Sequence, residues 1–189
     1  MDRADGRGLL YRHRRQAAER RPQSLEPVSL SLRAERPADA AKIREIITAA
    51  FGQADEAGLV DALRVAGDLT LSYVAEVDGE IVGHIALSRL KSPKDALALA
   101  PVSVAPDRQG EGIGGALIRH SIEEARRSGE ALIFVLGEPA YYTRFGFSVE
   151  TAAPFDCIYA GEYFMALQLN AEKTSPAEVI YADAFGGLD

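Results

Sequence analysis

Val102–Ile118 reads VSVAPDRQGEGIGGALI: a β-branched run, a proline, four glycines within six residues, and then an apolar segment with helical character. With a strand ending near Ala105 and a helix beginning near Gly112, the amides from about Gly110 to Gly115 have no intrahelical acceptor and lie at the positive end of the helix dipole. Such a turn is an anion site. Side chains here would hold a pyrophosphate away from those amides, and glycine also admits positive φ. A strand-to-helix turn with no ligand is the alternative, but it has no need of Gly110, Gly112, Gly114 and Gly115 together.

Reading outward from the loop shows which anion fits. Gly110, Gly112 and Gly115 satisfy the G-x-G-x-x-G spacing of dinucleotide-binding folds, and Glu138 follows the next strand where a ribose-binding acid would stand. That fold needs several more strand–helix units, whereas about one remains before the chain ends. The nucleoside-triphosphate loop is excluded because no Gly-Lys-Ser/Thr follows the glycines. Before the loop, LTLSYVAEV and EIVGHIALSRL are two β-rich runs joined at Asp78 and Gly79, a hairpin signal, and therefore antiparallel. LALAPVSVA is the fourth strand, and a helix is expected from about Gly112 to Ser128 with Gly129 as its stop. ALIFVLG is an apolar run suited to a strand buried on both faces, so the unit around the loop is a right-handed βαβ crossover with parallel strands.

Earlier in the chain, SLSLRAE (Ser29–Glu35) alternates as a first strand. Pro37 marks a helix start, with Ile43, Ile46, Ile47 and Ala50 on one face. A second helix is expected over Asp55–Val65 with Leu59, Ala62 and Leu63 buried. Late in the chain, PAYYTRFGF predicts a short helix and a turn at Gly146, and YFMALQL a last strand. The order implies an α/β fold with a mixed, mostly antiparallel central sheet and helices on both faces.

The 189 residues, 47% hydrophobic and 26% charged, suffice for one domain. Residues 1–27 carry seven arginines against four acids, net +3, while the rest carries 14 basic and 24 acidic residues, net −10. The first segment reads as a disordered basic extension, and residues 28–189 as the folded domain. The acidic domain argues against nucleic acid as the main partner. No apolar run reaches the roughly 18 to 20 residues of a membrane span, and no secretory signal is evident, so a soluble, cytoplasmic protein is expected. A lone Cys157 and the scattered His13, His84 and His120 predict neither disulfide nor metal site.

VSVAPDRQGEGIGGALI resembles the acyl-coenzyme A binding segment of GNAT N-acetyltransferases, whose pattern is Gln or Arg, two residues, Gly, one residue, then Gly or Ala. Gln109, Gly112 and Gly114 occupy it. PAYYTRFGF resembles that family's later motif, a tyrosine shortly before Gly-Phe, and EIVGHIALS its hairpin. The phrases LVDALR, GHIALS, EPAYYTRFGF and FMALQL are most similar to the YhbS-type subfamily of predicted N-acetyltransferases. The resemblance runs from about Ser29 nearly to the C-terminus.

It implies the GNAT acyl-CoA N-acyltransferase fold, with the sheet splayed at the cofactor site and acetyl-CoA as donor. The acceptor is then a primary amine of a small molecule, a protein or a peptide, held among the early helices, the hairpin and Thr151–Glu162, where Asp55, Glu56 and Asp156 are scattered acids, and the protein acts as a monomer or homodimer. Backbone groups of Val102, Ser103 and Val104 meet the pantetheine arm, and one amide there holds the acetyl oxygen as charge develops on it. Arg108, Gln109, Gly110, Gly112, Ile113, Gly114 and Gly115 surround the pyrophosphate. Pro101, which lacks an N–H, either opens the strand edge or is an ordinary edge-strand proline. Tyr142 aligns with the residue that protonates the departing thiolate, with Tyr141 as its neighbour and competitor. Many relatives place a general base, a glutamate, on the fourth strand, and DALALAPVSV has none after Asp95. Glu76, at the end of the second strand, His84, which alternation puts on one face of the third with Val82, Ala86 and Ser88, and a water chain are the candidates. A non-catalytic acyl-CoA sensor and transfer of a longer acyl group are the rival readings.

Overall fold

The computed structural model describes residues 29–170 and 174–187; the extension expected over residues 1–27 lies outside the described residues. In chain order the elements are β1 (Leu30–Ala34), α1 (Ala40–Phe51), α2 (Asp55–Ala66), β2 (Leu69–Val77), β3 (Glu80–Arg89), β4 (Ala96–Val104), α3 (Ile113–Arg127), β5 (Leu132–Leu136), the one-turn α4 (Pro139–Tyr142) and α5 (Val149–Ala152), and β6 (Phe164–Gln168). The six strands lie side by side in sequence order, and β4–β5 is the parallel pair in a sheet otherwise antiparallel. This is the mixed, mostly antiparallel α/β sheet read from the sequence.

Periodicity decides which helix covers which face. On α3, Ile113, Leu117, Ile118, Ile122 and Ala125 form one buried stripe. It packs on Ile85, Leu87, Leu97, Leu99, Ile133 and Val135. Helix α1 buries Ile43 and Ile47 with Val60 of α2 against Val74 and Ala86, on the opposite face. Farther along that face, Phe134 stacks on Phe164 at 5.4 Å and meets Phe155 edge-on at 5.1 Å. Each of these large side chains contributes about 1.5–3 kcal/mol by leaving water.

Two expectations need correction. Ala62 is exposed, and the buried face of α2 is Ala57, Leu59, Val60 and Leu63. Val82 does not share a face with His84. The β2–β3 register shifts between Ala75 and Glu76, placing Val82 as an extra residue. Beyond this bulge Val82 joins the α3-side core, while Ile81 lies on the side of Ala86.

A second bulge shapes the sheet's centre. Ile85 pairs with Val102 and Leu87 with Leu99, so Ala100 and Pro101 stand together against Ala86. An extra residue bends the strand that carries it. Pairing of β4 with β5 ends at Leu99 and Val135, and Val102–Val104 has no β5 partner. The sheet therefore opens into a V whose arms are the ends of β4 and β5. Pro101 suits this position because it has no N–H that the bulge would leave without a ladder partner.

Candidate active site

The open arm of β4 presents backbone groups in a fixed alternation. Ala105 donates its N–H to Val82 O at 2.8 Å on β3. Ser103 therefore also faces β3, and Val102 and Val104 turn their N–H and C=O groups toward the side β5 has left. Gln109 Nε2 donates to Val104 O at 3.1 Å, which ties the glycine loop to the end of the strand.

Gly110 and Gly112 have φ of 84° and 83°, a left-handed backbone that other residues adopt at a cost. The second of these caps α3. Its carbonyl accepts from Ala116 N at 3.0 Å, so the N–H groups of Ile113, Gly114 and Gly115 have no acceptor within the helix. They open on a cavity of about 370 Å³ that Arg108, Arg119, Arg144 and Tyr141 also line. Arg108 is held by Glu111 at 3.1 Å. The Arg144 guanidinium lies 4.0 Å over the Tyr141 ring, and that of Arg119 5.2 Å over Phe145. Three guanidiniums and a helix N-terminus at one cavity suit a ligand with several negative charges.

The other side of the V is a separate cavity of about 440 Å³, lined by Leu99, Pro101 and Val102 of β4, Leu136 of β5 and Tyr142. Tyr142 is half-buried here, its ring packed on the bare backbone of Gly137, where a Cβ would come within 2.4 Å of Cε2. Burial, and secondarily Tyr141, push the Tyr142 phenol up to about 12. The adjacent tyrosines thus serve different cavities, Tyr141 the arginine-lined one and Tyr142 the one at the strand ends.

Comparison with known proteins accords with this geometry. The family model described as an acetyltransferase (GNAT) domain matches residues 68–149. The uncharacterized N-acetyltransferase YjhQ of Escherichia coli strain K12 is 44% identical over 116 residues, 58% of this chain, and the chain spans 64% of that relative's length. YhbS of the same strain, also an uncharacterized N-acetyltransferase, is 33% identical over 69% of this chain and 80% of its own length. The chain belongs to the GNAT N-acetyltransferase family. A GNAT acetyltransferase from Brucella melitensis, solved with acetyl-CoA, is 41% identical over 83% of this chain and 98% of that one, with a TM-score of 0.72. The YhbS structure from E. coli, solved with CoA, is 28% identical over 87% and 96%, with a TM-score of 0.80.

Within this GNAT fold the residues singled out from the sequence separate into three places. Arg108, Gln109, Gly110, Gly112, Ile113, Gly114 and Gly115 gather at the arginine-lined cavity. Val102 and Tyr142 line the second cavity, while Ser103 is buried, its Oγ 3.5 Å from His84 O. The two proposed bases line neither. Glu76 accepts from Arg33 Nε at 2.9 Å and Nη2 at 2.6 Å at the β1 edge. His84 is fully buried under α1 and α2, with Nε2 2.8 Å from Ser72 Oγ and 3.4 Å from Glu35 Oε2. Burial lowers the His84 pKa, only partly offset by Glu35. Burial by itself would raise the Glu35 pKa, but hydrogen bonds from His84, Arg64 and Ser72 together hold it well below the usual carboxylate range.

Sequence reasoning missed Arg119, and it noted Glu56 only as one of the scattered acids, with Asp55 and Asp156, in the region expected to hold the acceptor. Arg119 lies one turn beyond Gly115 on α3, a spacing that puts it on the glycine face, and this i, i+4 relation was the available signal. Glu56, on the first turn of α2, lines the Tyr142 cavity. Its place there follows from the packing of α2, which no local pattern reveals.

Proposed function

We propose that this chain transfers an acetyl group from acetyl-CoA to a primary amine by direct attack, with donor and acceptor bound together. The observation that carries the reading is the V between β4 and β5, with an arginine- and amide-lined cavity on one side and Tyr142 on the other. The fit to coenzyme A rests on this chain's own groups. Arg108, Arg119 and Arg144 with the amides of Ile113, Gly114 and Gly115 would hold the pyrophosphate, and the free edge of Val102–Val104 would run along the pantetheine amides. Bound acetyl-CoA would supply an activated thioester.

The Val102 N–H faces the open edge and is the donor for the carbonyl oxygen as negative charge builds on it. A new N–C bond forms as the C–S bond breaks, and the amine's proton passes to water. Tyr142 meets the departing sulfur. Its phenol, near 12, stays protonated at neutral pH and donates a hydrogen bond. Complete transfer to a thiolate of pKa about 8.5 is uphill by about three to four pH units, so solvent completes the protonation. With Glu76 engaged by Arg33 and His84 buried, the amine loses its proton to water, and an acceptor with a depressed pKa needs no stronger base.

The test follows free thiol release from acetyl-CoA across a panel of amines and lysine peptides. Acceptor-dependent release with a matching N-acetylated product is expected. Tight acetyl-CoA binding with no release for any acceptor would replace the reading with a non-catalytic acyl-CoA sensor, the alternative that the placement of Glu76 and His84 away from both cavities favours. Faster release from a longer acyl thioester would change the donor and keep the mechanism.

A further inference from the structure

The Tyr142 cavity has walls that the thioester chemistry does not require. The end of α1 contributes Phe51, the loop before β6 contributes Tyr159, and the segment after β6 contributes Tyr181 and Phe185. The rings form a continuous wall: Tyr159 and Tyr181 lie 5.7 Å apart at 74°, and Tyr181 and Phe185 5.0 Å apart at 51°. The wall is anchored. Ile180 N donates to Ser92 O at 2.9 Å, Lys91 N to Ile180 O at 2.8 Å, and Val179 N to Asp156 O at 2.7 Å.

Despite this anchoring, apolar surface is left uncovered at the cavity. Phe51 is 43% exposed, Tyr159 41% and Leu136 51%. Apolar residues concentrated at a concave site mark ligand contact. The volume of about 440 Å³ lies within the roughly 300–1,000 Å³ range of small-molecule sites. Among the described residues that line it, Glu56 alone carries a charge. Its carboxylate is held by Gln53 Nε2 at 3.2 Å, a neutral partner, and no cationic side chain among the described residues lines the cavity with it.

From this lining we infer that the acceptor is a small monoamine with an aromatic or bulky apolar body, which the ring wall covers and whose ammonium Glu56 attracts as it enters. One carboxylate matches one cation, and the rings add cation–π attraction. A polyamine would leave further ammonium groups against apolar rings, a mismatch that desolvation penalises. The inference names the acceptor of the proposed transfer and rests on that reading for its reactive end.

The probes are 2-phenylethylamine, spermidine and an unstructured lysine peptide. Calorimetry reads binding to the full chain with CoA bound, and product analysis reads acetylation by acetyl-CoA. Saturable 2-phenylethylamine binding is expected, with kcat/KM at least about tenfold above the other two amines. Glu56→Gln and the rim variant Tyr159→Ala should each raise its KM about tenfold while the KM for acetyl-CoA holds. Binding that depends on Glu56 and Tyr159 without acetylation sustains the amine site and refutes the transfer. Preference for spermidine or the peptide overturns the inference and leaves the transfer standing. No binding and no reaction with any amine overturns both.

Discussion

Gly137→Ala moves the Tyr142 phenol without removing it. Gly137 follows β5, its φ is not in the left-handed region, and the space beside it is filled by the Tyr142 ring. An added Cβ would lie 2.4 Å from Cε2 and 2.9 Å from Cδ2. Ordinary carbon–carbon contact is about 3.5–4.0 Å, so the ring must retreat by about 1 Å. Overpacking of this kind costs about 1–3 kcal/mol, and at roughly 2–4 °C per kcal/mol the melting temperature should fall by about 2–12 °C. The same displacement takes the hydroxyl out of a hydrogen bond that functions over about 2.6–3.2 Å. A hydrogen bond to a charged partner contributes about 1.5–3 kcal/mol, so kcat should fall about 10- to 100-fold with little change in the dissociation constant of acetyl-CoA. A double-mutant cycle with Tyr142→Phe separates this from general damage. Once the hydroxyl is gone, moving the ring has nothing further to remove, and the double variant should turn over no more slowly than Tyr142→Phe. Steady-state kinetics and calorimetry on the four proteins decide it. A lowered melting temperature with unchanged kcat, or losses that simply multiply, would refute a role for the phenol.

Tyr142→Phe itself should lower kcat about 10- to 100-fold. Because burial raises the phenol to about 12, the native rate should show no alkaline fall from this group up to pH 10, where only about 1% is ionised; an alkaline limb with an apparent pKa near 9 that vanishes in Tyr142→Phe would contradict this. Arg119→Ala and Arg144→Ala should each weaken CoA binding about 10- to 100-fold by calorimetry and lessen its salt dependence, with kcat at saturation maintained; unaltered affinity would place both guanidiniums outside the pyrophosphate site. The folded state keeps His84 neutral by burial, so the unfolded chain binds its proton more readily and stability should fall as pH drops below about 6.5; Glu35, depressed in the fold, adds to the loss nearer pH 4. His84→Gln should flatten the melting-temperature slope between pH 7 and 5, and an undiminished slope would assign it to other groups.

The donor side of the protein was legible in the sequence because it is local. Val102–Ile118 carries a strand, its turn and the helix start in one contiguous run, so strand period, glycine spacing and helix dipole can be read together. Tyr142 was singled out by the resemblance of PAYYTRFGF to the family's later motif, which is also one contiguous run. The two bulges were not legible. Placing Ala100 and Pro101 against Ala86, or Val82 out of step with His84, depends on pairing between strands, and alternation within either strand says nothing of the register across them. Hence the face assigned to Val82 was wrong, while the splay, which the second bulge helps produce, could be expected only by resemblance.

The acceptor wall was illegible for a deeper reason. Phe51, Glu56, Phe134, Tyr159 and Phe185 come from five segments spread over more than 130 positions, and none belongs to a repeating pattern. Phe134 reads as a buried strand residue, and each of the others alone as an ordinary helix-end or loop residue. Their meeting depends on the segment after β6 returning to Ser92 and on α2 packing over it through Leu59, Leu63 and Ala182. Family likeness helps less here as well, since the matched GNAT domain stops at residue 149, before Tyr159, Tyr181 and Phe185. A donor site that answers to one coenzyme can be built from a fixed local motif. An acceptor site assembled from separated segments can change its amine by altering single side chains without disturbing that motif, so the proposed preference for an apolar monoamine is to be tested at the aromatic wall and Glu56.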